Sequence, residues 1–139
     1  MGTQHQYISL PAVAIGLAAL AGCSGTIIGI STGESFGGLG VLLVVREVAA
    51  DLDFDCATGR IEEPMTFSAD GTFDVDGTFT PGTGGPVRED DPPIPEVARY
   101  MGVLRGDRLT LSAILVEDGT VIGPYELRRG EQPLLRRCL

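Results

Sequence analysis

Asp51-Leu52-Asp53-Phe54-Asp55-Cys56 alternates acidic and apolar residues without a break. Successive side chains of an extended strand point to opposite faces, so Leu52, Phe54 and Cys56 share one face and three carboxylates share the other. One dry face and one wet face is the pattern of an antiparallel sheet packed on a single side, whereas strands of a parallel sheet read as continuous apolar runs. The alternation therefore predicts a half-buried strand in an antiparallel sheet.

Downstream, Ala57-Thr58-Gly59-Arg60 reads as a turn, and Pro64 delays the next strand until Met65–Ala69. Asp70-Gly71 is a two-residue hairpin signal, since glycine accepts the positive φ that a tight turn requires. Thr72–Thr80 returns with Phe73, Val75, Gly77 and Phe79 on one face, and Gly77 marks a bulge or the close approach of a neighbouring strand. Pro81–Pro95, rich in Gly and Pro, is the longest irregular stretch and should be exposed. Ala98–Leu104 and Arg108–Glu117 flank a turn at Gly106-Asp107, with Leu109, Leu111, Ala113 and Leu115 facing inward. Beyond the turn at Asp118-Gly119, Thr120–Arg128 places Val121, Tyr125 and Leu127 on one face, with a break at Gly123-Pro124, and Leu134–Cys138 forms a last short strand. Upstream, Leu39–Arg46 is aliphatic and β-branched and reads as a strand that turns at Ala49-Ala50.

Short strands joined mostly by tight turns, with no helical period, predict an all-β fold. It is a small antiparallel meander of seven or eight strands, closed or partly closed into a barrel, which removes exposed sheet edges. A two-sheet sandwich is the second architecture compatible with the pattern.

The N-terminal region has a different character. An apolar run from Ile8 to Leu20 ends in Leu20-Ala21-Gly22-Cys23. It is too short to span a bilayer comfortably, and no charged side chain of the Asp, Glu, Lys or Arg type follows until Glu34, so it reads as the core of a signal peptide. Small residues before a lone cysteine resemble the lipobox of bacterial lipoprotein precursors. That resemblance implies cleavage before Cys23, acylation of its thiol and anchorage to membrane lipid in the cell envelope, with Ser24 favouring the outer membrane in a Gram-negative source. The chain divides accordingly into a signal peptide (1–22), a lipid anchor with a Gly/Ser tether (23–38) and one β domain (39–139). Within the tether, Thr26–Ile30 could add an edge strand.

Charge and composition narrow the chemistry. The 139 residues carry a formal charge of -9, and every Asp, Glu and Arg lies beyond Cys23. This argues against nucleic-acid partners and against attraction to anionic headgroups. His5 is the one histidine and would leave with the signal peptide, and the chain has no Lys. Histidine-based triads, a histidine zinc site, Schiff-base chemistry and a P-loop are thereby excluded. No cofactor and no metal set is indicated. If lipid consumes Cys23, Cys56 and Cys138 remain as an even pair in an oxidising compartment, which predicts one disulfide.

Three acidic groups invite a functional reading. Asp51, Asp53 and Asp55 stand about 6.6 Å apart along one strand face, too far to share a proton, and read first as a solvated surface. Asp70, Asp74 and Asp76 fail the EF-hand spacing, because Pro81 falls where the twelfth-position Glu belongs. Glu89, Asp90 and Asp91, followed by Pro92, Pro93 and Pro95, form an acidic, proline-rich loop suited to docking a partner protein. The expected function is a non-catalytic binding or structural role in the envelope. A small carboxylate-dependent hydrolase and a barrel holding an apolar ligand are the alternatives; Phe54, Phe67, Phe73, Phe79, Leu111 and Tyr125 would otherwise fill the interior.

The order Phe54-Asp55-Cys56-Ala57-Thr58-Gly59-Arg60-Ile61, then Gly71-Thr72-Phe73, Gly84-Gly85-Pro86, Tyr100, Gly102, Gly106, Leu109, Leu111, Ile122-Gly123, Leu127, Gly130 and Cys138-Leu139 resembles a family of small bacterial lipoproteins with paired cysteines. The resemblance covers about residues 37–139 and implies secretion and the disulfide. It carries no activity and no catalytic residue.

Overall fold

The structure, a computed structural model, describes residues 30–86, 89–136 and 138. Cys23, the apolar run before it and most of the expected tether lie outside the described residues. Eight strands follow one another: β1 (Ser35–Gly38), β2 (Val41–Val45), β3 (Ala50–Phe54), β4 (Ala57–Ile61), β5 (Thr72–Pro81), β6 (Glu96–Arg105), β7 (Arg108–Leu115) and β8 (Val121–Arg129). Each pairs antiparallel with its neighbours in sequence, and β1 pairs with β8, so the meander closes into a barrel.

Closure depends on β1, and here the domain boundary expected at Leu39 is corrected. Ser35–Gly38 belongs to the barrel rather than to a tether, because its backbone supplies partners to both β2 and β8. A four-residue strand containing Gly37 and Gly38 has too little side-chain pattern to be recognised from sequence. Two further local readings change. Ala57–Ile61 is not a turn but β4, paired in full with β3; the turn is the two residues Asp55-Cys56, so Cys56 is exposed at the rim rather than inward. Met65–Ala69 alternates as expected, with Met65 and Phe67 buried, but has no ladder partner. This segment instead folds across the barrel mouth and packs Phe67 on Phe73 at 5.3 Å between ring centroids.

The inward faces of the strands fill the barrel. Phe36, Leu43, Leu52, Ile61, Leu109, Leu111 and Leu127 are wholly or almost wholly buried, and Tyr100 lies among them with no exposed surface. Eight strands give an interior just wide enough for side chains to occupy, and these residues occupy it. Phe54 stacks at an angle on both Phe79 and Tyr125 toward one end. The Tyr100 ring needs space that its neighbours provide: a Cβ on Gly77 would stand 2.9 Å from its Cε2, and one on Gly59 would stand 3.1 Å from its Cζ. The close approach expected at Gly77 is thus met by a core tyrosine as well as by the adjacent strand.

Candidate functional site

The barrel has two chemically different ends. Ile30–Glu34 leads into β1 at what we term the near end, together with the β2–β3, β4–β5 and β6–β7 connections; the far end carries the other turns and the 82–95 loop. Among the described residues, eight large apolar side chains are exposed: Leu39, Val48, Ile94, Val97, Val116, Val121, Leu134 and Leu135. All except Val48 belong to the far end. Val97 and Val116 are adjacent across β6 and β7, the amide of Val116 donating to the carbonyl of Val97 at 2.9 Å.

One member of this set is there because of a register change. Leu111 pairs with Tyr125 but Ala113 pairs with Ile122, so β8 contains one extra residue around Gly123-Pro124. A one-residue slip sends every later side chain to the opposite face. Ile122 turns inward, and Val121, expected inward, points out and is 61% exposed. The Gly-Pro break is visible in the sequence, but the change of face it produces is set by the pairing with β7.

A strap formed by the C-terminal residues crosses the outside of the barrel. The amide of Leu134 donates to the Gly38 carbonyl at 3.0 Å, and the Leu134 carbonyl accepts from Gly40 at 2.9 Å. Gly37 permits the crossing, since a Cβ there would lie 3.0 Å from the Pro133 nitrogen. The strap then reaches the β3–β4 turn, where the Asp55 carboxylate accepts the Arg136 amide at 2.6 Å. Cys138 is joined to Cys56 with their Cα atoms 5.4 Å apart, as expected from the pairing of cysteines. Leu134 thus makes only an isolated bridge with Leu39 rather than opening a ninth strand.

Between this strap and the β5–β6 loop lies a groove of about 750 Å³, bordered by Asp53, Phe54, Thr80, Pro93, Leu135 and Arg136. It opens outward beside the disulfide and is not continuous with a hollow interior, because the axis is occupied by side chains. Of the acidic loop, the groove takes only Pro93; Glu89, Asp90, Asp91, Pro92 and Pro95 stand exposed around the same end. Glu96, Glu117 and Asp118 add further negative charge there.

The carboxylate row of β3 is divided among structural tasks. Asp51 is held by Arg46 at 2.5 Å and Arg60 at 3.0 Å, Asp53 is exposed, and Asp55 receives the strap. Of the second set, Asp70 accepts both the amide and hydroxyl of Thr72, which hold its carboxyl below the ordinary range. Asp74 takes both the Nε and an Nη of Arg99, at 2.5 and 2.8 Å; this hydrogen-bonded guanidinium lowers its pKa. Asp76 offers its amide to Glu63. Among the described residues no charged side chain is buried and no three metal-ligating groups converge. Comparison with protein-family models, curated proteins and solved structures returned no match.

Proposed function

We propose that this chain is a lipid-anchored module of the bacterial envelope, held through acylated Cys23, whose role is to bind rather than to catalyse. The observation that carries the reading is the concentration of exposed apolar side chains at the far end, opposite the end at which the chain enters the barrel. Clustered exposed apolar residues within a polar surround are the usual sign of an interaction surface. With Cys23 in the membrane, that end faces away from the lipid and is free to meet an envelope protein. Negative charge around it favours a partner with apolar and basic groups.

The filled interior supports a protein partner over an apolar ligand held along the barrel axis. A two-carboxylate hydrolase needs an acid shielded enough to keep its proton near neutrality; Asp53 and Asp55 stand instead on an open rim.

Two measurements test the proposal separately. The mass of the native N-terminus should show loss of residues 1–22 and an acyl addition, and a retained Met1 on an unmodified chain would end the anchored reading. Cross-linking in the native envelope should capture one defined partner with the wild type and not with Val97→Asn/Val116→Asn. Equal capture by a folded double variant would remove the far end from the proposal.

A further inference from the structure

We propose that the Cys56–Cys138 bridge is a redox latch: a dithiol reductant opens it at the rim of the barrel, and the C-terminal strap leaves one wall of the far-end groove while the barrel stays closed. The device is independent of any partner at the far end and of lipid on Cys23. The bridge stands where a reductant can reach it, since Cys56 lies in the two-residue turn between β3 and β4, Cys138 lies on the strap, and both are exposed. Neither cysteine belongs to a strand, and the eight strands close into a barrel without the strap.

Apart from the bridge, little keeps the strap in place. Beyond Glu131, among the described residues, three hydrogen bonds hold it: the Leu134 amide donates to the Gly38 carbonyl, the Gly40 amide to the Leu134 carbonyl, and the Arg136 amide to the Asp55 carboxylate. Leu134 is 69% exposed and Leu135 38%, so apolar burial adds little. A few hydrogen bonds, each of small net worth, do not offset the backbone entropy of ordering the chain from Gln132 to Cys138. Cutting the covalent link therefore frees the strap.

The Cys56 turn ties the two walls of the groove by unequal means. The strap wall, with Pro133, Leu135 and Arg136, is joined to it through sulfur. The opposite wall, with Thr80, Pro81 and Gly82, is joined through backbone: the Gly82 amide donates to the Cys56 carbonyl at 2.6 Å, and Pro81 pairs with Ala57. Reduction breaks only the first connection. One wall leaves and the other stays, and the outer side of Gly37, buried beneath Glu131 and Pro133, is uncovered.

The exchange balances within the bridge and the reductant. A thiolate of the reductant attacks one sulfur and forms a mixed disulfide, the other sulfur leaving as a thiolate; the reductant's second thiol then displaces the first. The reductant ends as a disulfide, two electrons poorer, and Cys56 and Cys138 end as thiols carrying its two protons.

The test uses the full chain with Cys23→Ser, so that Cys56 and Cys138 are its only cysteines. Oxidised protein is treated with dithiothreitol in native buffer, alkylated with iodoacetamide and weighed; both cysteines should be alkylated while the circular dichroism of the barrel is unchanged. Trypsin should then cut after Arg136 about tenfold faster than in the oxidised chain, with Arg60 and Arg99, inside ladders, still protected. Cys138→Ser should show the same rapid cut with no reductant present. Thiols that react only in denaturant, a barrel that unfolds on reduction, or a strap as protected after reduction as before it would each overturn the latch, and so would a Cys138→Ser chain that does not fold.

Discussion

Tyr100 is the side chain around which the core is fitted. Its ring occupies space left by Gly59 and Gly77, and its hydroxyl donates to the Thr78 carbonyl at 2.7 Å. Tyr100→Phe should cost about 1 kcal/mol, the usual net worth of one such hydrogen bond, whereas Gly77→Ala should cost about 1–3 kcal/mol because the ring and the Arg60 carbonyl must both yield; urea melts measure both. Burial pushes the Tyr100 hydroxyl well above its ordinary 10.0. The unfolded chain loses that proton near 10 while the folded chain keeps it, so stability falls as pH rises beyond 10. A spectrophotometric titration should show one tyrosine silent until the protein unfolds, and Tyr100→Phe should abolish that step. The opposite sign holds for Asp74, which Arg99 keeps below its ordinary 3.8. Its contribution is complete above 3.8 and is lost as pH falls through the lower folded value. Asp74→Asn should therefore flatten the acid limb of the stability profile. The pair is exposed, so the change should be small.

The strap is an element without regular structure that reinforces the seam of the barrel. β1 is the shortest strand, and its three-residue pairing with β8 is what closes the sheet. Residues 131–136 run over its outer face, and the disulfide holds them there across a separation of 82 residues. On a chain-entropy account a bridge of that span stabilises by about 4 kcal/mol, so Cys56→Ser should cost about 2–5 kcal/mol. The loss should be local before it is global. In hydrogen exchange, the amides of Gly40 and Leu134 should lose protection on reduction while those of β5, β6 and β7, the longest continuous ladders, keep theirs. Uniform loss across all strands would show that the strap does not act at the seam.

At the scale of the whole molecule, closure removes the sheet edges that an open meander would expose. A chain starting at Leu39 lacks β1 and leaves unpaired edges on β2 and β8. It should aggregate or remain unfolded, whereas one starting at Ile30 should give a monomer with a cooperative melt; size-exclusion chromatography and circular dichroism distinguish them. The same closure gathers most of the exposed large apolar side chains at the far end, opposite the end at which Ile30–Glu34 enters the barrel.

Period-two alternation in β3, β5 and β7 was enough to specify an antiparallel meander, since a side chain's face follows from backbone geometry alone. The pairing of Cys56 with Cys138 was likewise legible, since the expected acylation of Cys23 leaves those two as an even pair. What the linear pattern did not carry was every feature set by a distant partner. β1 is a strand only because β2 and β8 flank it, and Met65–Ala69 is a cap because no strand is free to pair with it. Val121 faces out because the ladder slips at Gly123-Pro124. Local sequence determined which residues wish to be dry; tertiary structure decided which exposed ones stand together, because that depends on backbone pairing between residues far apart in the chain.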